Sequence, residues 1–155
     1  MLPARFHAFA LDALAKAPDV QSVEPWERGD HTRGIRVTFS SGSQIWLGMT
    51  TTSPPGAKGD EDPIVTGERA AEVPYPPLYE DGKVTPERAQ HYLAAAIANS
   101  GHGEVAGAYG YDPTNKHPGF GVRFHSGAKV ACPFHHNGRA GQSLGGRAFE
   151  LQDAF

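Results

Sequence analysis

Residues 34–49, GIRVTFSSGSQIWLGM, align without gaps on residues 119–134, GFGVRFHSGAKVACPF, at an offset of 85. Gly34/Gly119, Val37/Val122, Phe39/Phe124, Ser41/Ser126 and Gly42/Gly127 are identical. Ile35/Phe120, Ile45/Val130, Leu47/Cys132 and Met49/Phe134 keep apolar character. Self-similarity at a fixed spacing marks a repeated supersecondary unit, so both copies should adopt one local structure. Upstream, Val20 faces Val105 and Trp26 faces Tyr111 at the same offset.

The segments before these copies also match, at an offset of 83. In the first, Phe6, Phe9, Ala10, Ala13, Leu14 and Ala17 form one stripe at helical spacing. In the second, the stripe is Ala89, Tyr92, Leu93, Ala96, Ile97 and Ser100. Pro3/Pro86 and Arg5/Arg88 are identical. Thr85 suits an N-cap, Pro86 the first turn and Gly101 the exit, while the first helix should stop before Pro18.

Each half therefore reads as a helix, a short strand (about 20–26 and 104–111) and a β-hairpin. Ile35, Val37, Phe39, Ile45, Leu47 and Met49 share one face by period-2 alternation; Arg36, Thr38, Ser40, Gln44 and Trp46 take the other. A turn at Gly42 or Gly127 joins each strand pair. The expected fold class is α+β, an internal duplication of an α-β-β-β unit. Its antiparallel sheet would carry two helices on one face, with a pseudo-twofold axis between the halves.

At 155 residues the chain is expected to be one domain, 1–155, able to bury a core without metal or disulfide. The repeats span about 3–50 and 86–136, joined by a Pro-rich connector, 51–85, and followed by a Gly/Arg-containing segment, 137–155. The connector is expected to be an acidic linker, partly in polyproline II form. Its Pro76-Pro77-Leu78-Tyr79 matches a short pattern that WW domains bind, a weak signal at four residues. In the last segment Phe149, Leu151 and Phe155 are placed to dock on the body or on a partner.

The net charge of −3 argues against a whole-chain polyanion binder but leaves room for a local basic face. One cysteine precludes an internal disulfide and fits a reducing compartment. Arg5, Asp12 and Lys16 interrupt the N-terminal apolar residues, unlike a secretory signal, and no run is long enough to span a membrane. The expected location is cytoplasmic. Abundant Ala, Gly, Pro and Arg is usage common in high-GC bacteria and their phages or plasmids, so an accessory protein of such an element is the expected context.

Residues 117–136 hold four histidines and the only cysteine, Cys132. Pairing Phe39 with Ile45, and Phe124 with Val130, would set His125 opposite Lys129, Val122 opposite Cys132 and Gly119 opposite His135. His125 and His135 then lie about 20 Å apart, too far to share an ion. Cys132 falls on the buried face as a small hydrophobe. His117, His135 and His136 remain near one end, with Asp112 and His102 in loop reach; Thr32, Thr50 and Thr51 hold corresponding places in the first half. Adjacent strand residues point to opposite faces, so only one of His135 and His136 should point the way His117 does. Their spacing matches no ligand or catalytic motif, and no metal, cofactor or catalytic residue is expected.

The outward hairpin faces carry Arg36 and Trp46 in one half and Arg123, His125 and Lys129 in the other. Cations beside an aromatic suit phosphate contact and base stacking; solvated polar residues on an open sheet give the plainer explanation. The leading expectation is a small non-enzymatic binding or interaction protein, with a protein partner or self-association foremost and no membrane. A nucleic-acid-binding accessory protein comes second, and a metal-dependent enzyme at His117, His135 and His136 third.

Overall fold

The computed structural model describes residues 1–27 and 33–155, so Thr32 lies outside the described residues. Helix α1 (Pro3–Ala15) is followed by strands β1 (Val20–Glu27), β2 (Arg33–Phe39), β3 (Gln44–Gly48) and β4 (Thr50–Thr52). A small ribbon of β5 (Tyr79–Glu80) and β6 (Lys83–Val84) precedes α2 (Pro86–Ala98), β7 (Val105–Gly110), β8 (Gly119–Phe124) and β9 (Lys129–Gly138). The fold is α+β: two helices and a seven-stranded sheet in the order β1-β2-β3-β9-β8-β7, with β4 also paired to β9. Every described strand pair is antiparallel.

The helices begin and end for local reasons. Thr85 Oγ1 accepts from Arg88 N at 3.2 Å, and Pro86 occupies the first turn, where its missing N–H costs nothing. Gly101 leaves α2 at φ +70°. Phe6, Ala10, Ala13 and Leu14 of α1 are buried, as the stripe requires. The second helix is buried further round than its stripe, at Ala94, Ala95 and Ala98 too.

The extra cover on α2 comes from the connector, which is packed rather than free. Val73 N donates to Asn99 Oδ1 at 2.8 Å, and Asn99 Nδ2 donates back to Val73 O at 2.9 Å. Tyr75 rests on Tyr92 at 5.0 Å, and Arg88 donates to Pro77 O. Leu78 is 3% exposed and the Tyr79 hydroxyl accepts from Ser41 N, so the Pro76–Tyr79 segment is spent on the body. Beyond it, the Phe155 ring is buried and its backbone exchanges two hydrogen bonds with Val84. Removing such a ring costs about 3–5 kcal/mol.

The hairpins close two residues tighter than the sequence suggests. Phe39 N donates to Ser43 O and Gly42 N to Phe39 O, both at 2.8 Å; Phe124, Ala128 and Gly127 repeat the pattern at 3.0 Å. Gly42 at φ +89° and Gly127 at φ +91° make this a three-residue loop with a glycine bulge. Val37 therefore pairs with Ile45 and Val122 with Val130; Phe120 faces Cys132, Gly119 faces Pro133 and Arg123 faces Lys129. Because a slip of two preserves parity, the expected faces survive the corrected register.

One core lies between helices and sheet, and each helix reaches across it. Phe6 of α1 meets Phe124 of β8 edge-on at 6.2 Å, while Tyr92 of α2 meets Phe39 of β2 at 6.4 Å. A charge cluster closes one side. Arg5 binds Glu104 bidentately at 2.6 and 2.9 Å and Asp62 at 2.7 Å, and Asp62 also meets the Met1 amine at 3.2 Å.

The Arg5 guanidinium holds the Asp62 and Glu104 carboxyls well below the usual carboxylate range. Carboxyls depressed in the folded state contribute stability above their unfolded pKa of about 4 and lose it as pH falls through the folded values. Urea unfolding should thus show stability falling below about pH 4.5, and Arg5→Ala should flatten that fall; an unchanged acid slope in the variant would show that the cluster contributes nothing.

Candidate functional site

Inward positions of β2, β3, β8 and β9 feed the core, so any recognition surface on the sheet must use the outer face. That face is built from glycines crossed by aromatic rings. A Cβ on Gly34 would come within 2.5 Å of the Trp26 ring, and one on Gly121 within 2.5 Å of the Tyr109 ring. Only glycine lets a ring lie this close across a strand.

At one end of this face the C-terminal segment docks. Gln44 Nε2 donates to Gln142 O at 3.2 Å, Asn137 exchanges two hydrogen bonds with the Gln152 backbone, and Phe149 N donates to His135 O. Trp46, expected on open display, takes the outer side between Arg36 and His136 but is only 4% exposed. Arg36 is paired with Glu24. Neither residue is an uncommitted surface group.

The histidines also differ from expectation. Trp46 pairs with His136 while Leu47 pairs with Phe134, so His135 is the extra residue of a β-bulge. The bulge breaks alternation, and both imidazoles approach Trp26, at 5.8 and 5.9 Å. His117 comes to this end as expected, but the Phe149 ring stands between it and His135, with centroid distances of 4.4 and 4.6 Å. His102 sits elsewhere, its ring tilted against Phe9 at 4.8 Å and its Nε2 3.8 Å from Glu104. Asp112 folds back on Thr114 of its own turn. Among the described residues no group of three His, Cys, Asp or Glu side chains is placed to hold a metal ion.

Cys132 is fully buried opposite Phe120, and burial pushes its thiol pKa well up, which disfavours a nucleophilic thiolate. His125 lies under the connector, its Nε2 2.8 Å from Glu68 O, so it does not join the outer face.

Two of the five expected surface residues do come together. Arg123 and Lys129 are cross-strand partners on β8 and β9, and both side chains are exposed. Arg123 lies over the Tyr109 ring at 5.1 Å, and Tyr109 is 40% exposed. Thr52 pairs with Lys129 and Thr50 with Ala131 on the far side of β9. Strands β4, β7, β8 and β9 contain no Asp or Glu. Among the described residues neither Arg123 nor Lys129 has a carboxylate within ion-pair distance.

Tyr109 escaped the sequence reading, although Tyr109-Gly110 in a short strand beside a glycine-alternating one is its signal. A groove of about 700 Å³ beside the start of α2, lined by Pro76, Pro77, Arg88, His91, Asp112 and Pro118, also went unseen because the connector, α2, the β7–β8 loop and the C-terminal segment meet to form it. The buried amide of Gln90 in its wall is committed to Tyr111 O and Gly119 N.

No protein-family model matches the chain, and comparisons with curated proteins and with solved structures find no match. Among the described residues no helix is long and apolar enough to cross a membrane.

With Trp26 replaced by Phe, the remaining Trp46 should emit with a blue-shifted maximum and resist iodide quenching. Quenching like that of free tryptophan would mean that the outer face is bare at this end.

Proposed function

We propose that this chain is a small binding protein made of two α-β-β-β units, and that the open sheet face of the second unit is its contact surface. The reading takes the second half as a copy of the first. In support, the order β1-β2-β3-β9-β8-β7 is unchanged when each strand of one half is exchanged for its counterpart. Both hairpins turn with the same two hydrogen bonds and the same left-handed glycine. Each helix also sends an aromatic ring onto the hairpin of the other half. A pseudo-twofold axis between β3 and β9 accounts for all three. A phage or plasmid accessory role is the context we favour from composition.

The observation that carries the functional reading is Arg123 directly opposite Lys129, both exposed, on strands that contain no Asp or Glu. Like charges facing across a strand pair are destabilising, by roughly 0.2–1 kcal/mol on the scale of such pairs. The first unit shows what a neutral version looks like, because Thr38 and Gln44 pair at the same register. Glu24, which neutralises Arg36 there, corresponds at the offset of 85 to Tyr109. The second unit thus replaces a compensated polar pair with an uncompensated cationic one, a change that favours a ligand over the fold.

Exchanging the pair for that of the first unit, Arg123→Thr with Lys129→Gln, separates the two demands. The double variant should be as stable as the parent, or up to about 1 kcal/mol more stable in urea unfolding. It should also lose the partners that the parent retains from a host extract, or the parent's self-association in sedimentation. A variant that is clearly less stable, or that retains the same partners, would contradict the assignment of this face.

A further inference from the structure

We infer that the partner recognised at this face is single-stranded nucleic acid; this rests on the binding role proposed above and names its ligand. Three features favour it over an acidic polypeptide. First, Arg123 is held over Tyr109, so its planar donor fork is already placed before a ligand arrives. A pre-positioned guanidinium suits bidentate contact with phosphate and offers a plane on which a base stacks.

Second, Lys129 lies between Arg123 on β8 and Thr52 on β4, so a point charge stands in a row with a fork donor and a hydroxyl. Phosphate oxygens accept from all three kinds of group. Third, the Tyr109 ring lies across Gly121 beside these cations and is 40% exposed, an aromatic ring against which a base can stack. The strands here run for about 20 Å, length for a few nucleotides of an extended strand.

The overall charge of −3 does not oppose this, because charge is segregated: seven of the 17 acidic residues fall in the connector, 51–85, and none in β4, β7, β8 or β9. With a screening length of about 8 Å in physiological salt, the local pair governs the local field.

Fluorescence anisotropy of the full chain with labelled dT15, a 15-base-pair duplex and a 15-residue polyglutamate, at 20 and 200 mM NaCl, tests the inference. Binding should be tightest to dT15 and weaken steeply with salt. Arg123→Ala and Lys129→Ala should each weaken it several-fold, and Lys129→Ala should lower the salt slope by about one. Lys16→Ala, on the far-lying α1, should change nothing. Polyglutamate binding as tightly as dT15 through the same two residues would overturn the nucleic-acid assignment and leave the binding face standing. Equal binding to the duplex would overturn single-strand preference. No binding to any probe at low salt, together with unchanged capture by the double variant, would overturn both.

Discussion

The pairing of β3 with β9 is the contact on which the rest of the structure depends. Gln44, Ile45 and Trp46 face Gly138, Asn137 and His136, and this seam joins two hairpins into one sheet. Without it each hairpin would end in an exposed edge, a poor arrangement for isolated strand pairs. The helices reinforce the seam by crossing it, with Phe6 on Phe124 and Tyr92 on Phe39. The buried side chains of both halves form one cluster, so the chain is expected to fold as one cooperative unit.

A seam at the centre leaves the two flanks of the outer face to diverge. On the flank of the first half, Trp26 and the β9 histidines form an aromatic patch, and the C-terminal segment caps the adjoining surface at Gln142, Phe149 and Gln152. On the flank of the second half, Tyr109 covers Gly121 and two cations face each other, with no carboxylate within ion-pair distance among the described residues. Phe149 adopts φ +71°, unfavourable for a bulky residue, while its ring is held between His117 and His135. The histidine-rich end of β9 is therefore largely a packing element, and the proposed contact residues lie at the other end of β9 and on β7 and β8.

The helices and hairpins were legible because they rest on period; β4 and the short β5-β6 ribbon, in or beside the stretch read as a linker, were not. Helix stripes and strand alternation mark α1, α2 and the hairpins within a residue or two, and the parity of alternation turns Cys132 inward. Register was not legible, since a glycine-bulge loop and a looser turn both fit Ser-Ser-Gly-Ser and differ by two residues. The bulge at His135 was hidden too: it arises from pairing with β3, a strand 88 residues earlier at Leu47, and no local pattern announces it. Trp46 and the connector failed for a related reason, because their burial depends on segments distant in sequence.

The candidate surface was half legible. Alternation put Arg36, Trp46, Arg123 and Lys129 outward, but Glu24 neutralises the first and neighbouring groups bury the second. His125 leaves the sheet at the turn and meets Glu68. What remains is Tyr109, Arg123 and Lys129. A titration of the nitrogen-15-labelled chain with dT15, followed amide by amide in NMR, tests this most directly. Shifts should concentrate at Tyr109, Gly121, Arg123 and Lys129 and the facing part of β4. Shifts concentrated instead at His117, His135 and His136 would contradict it and return the function to the histidine end.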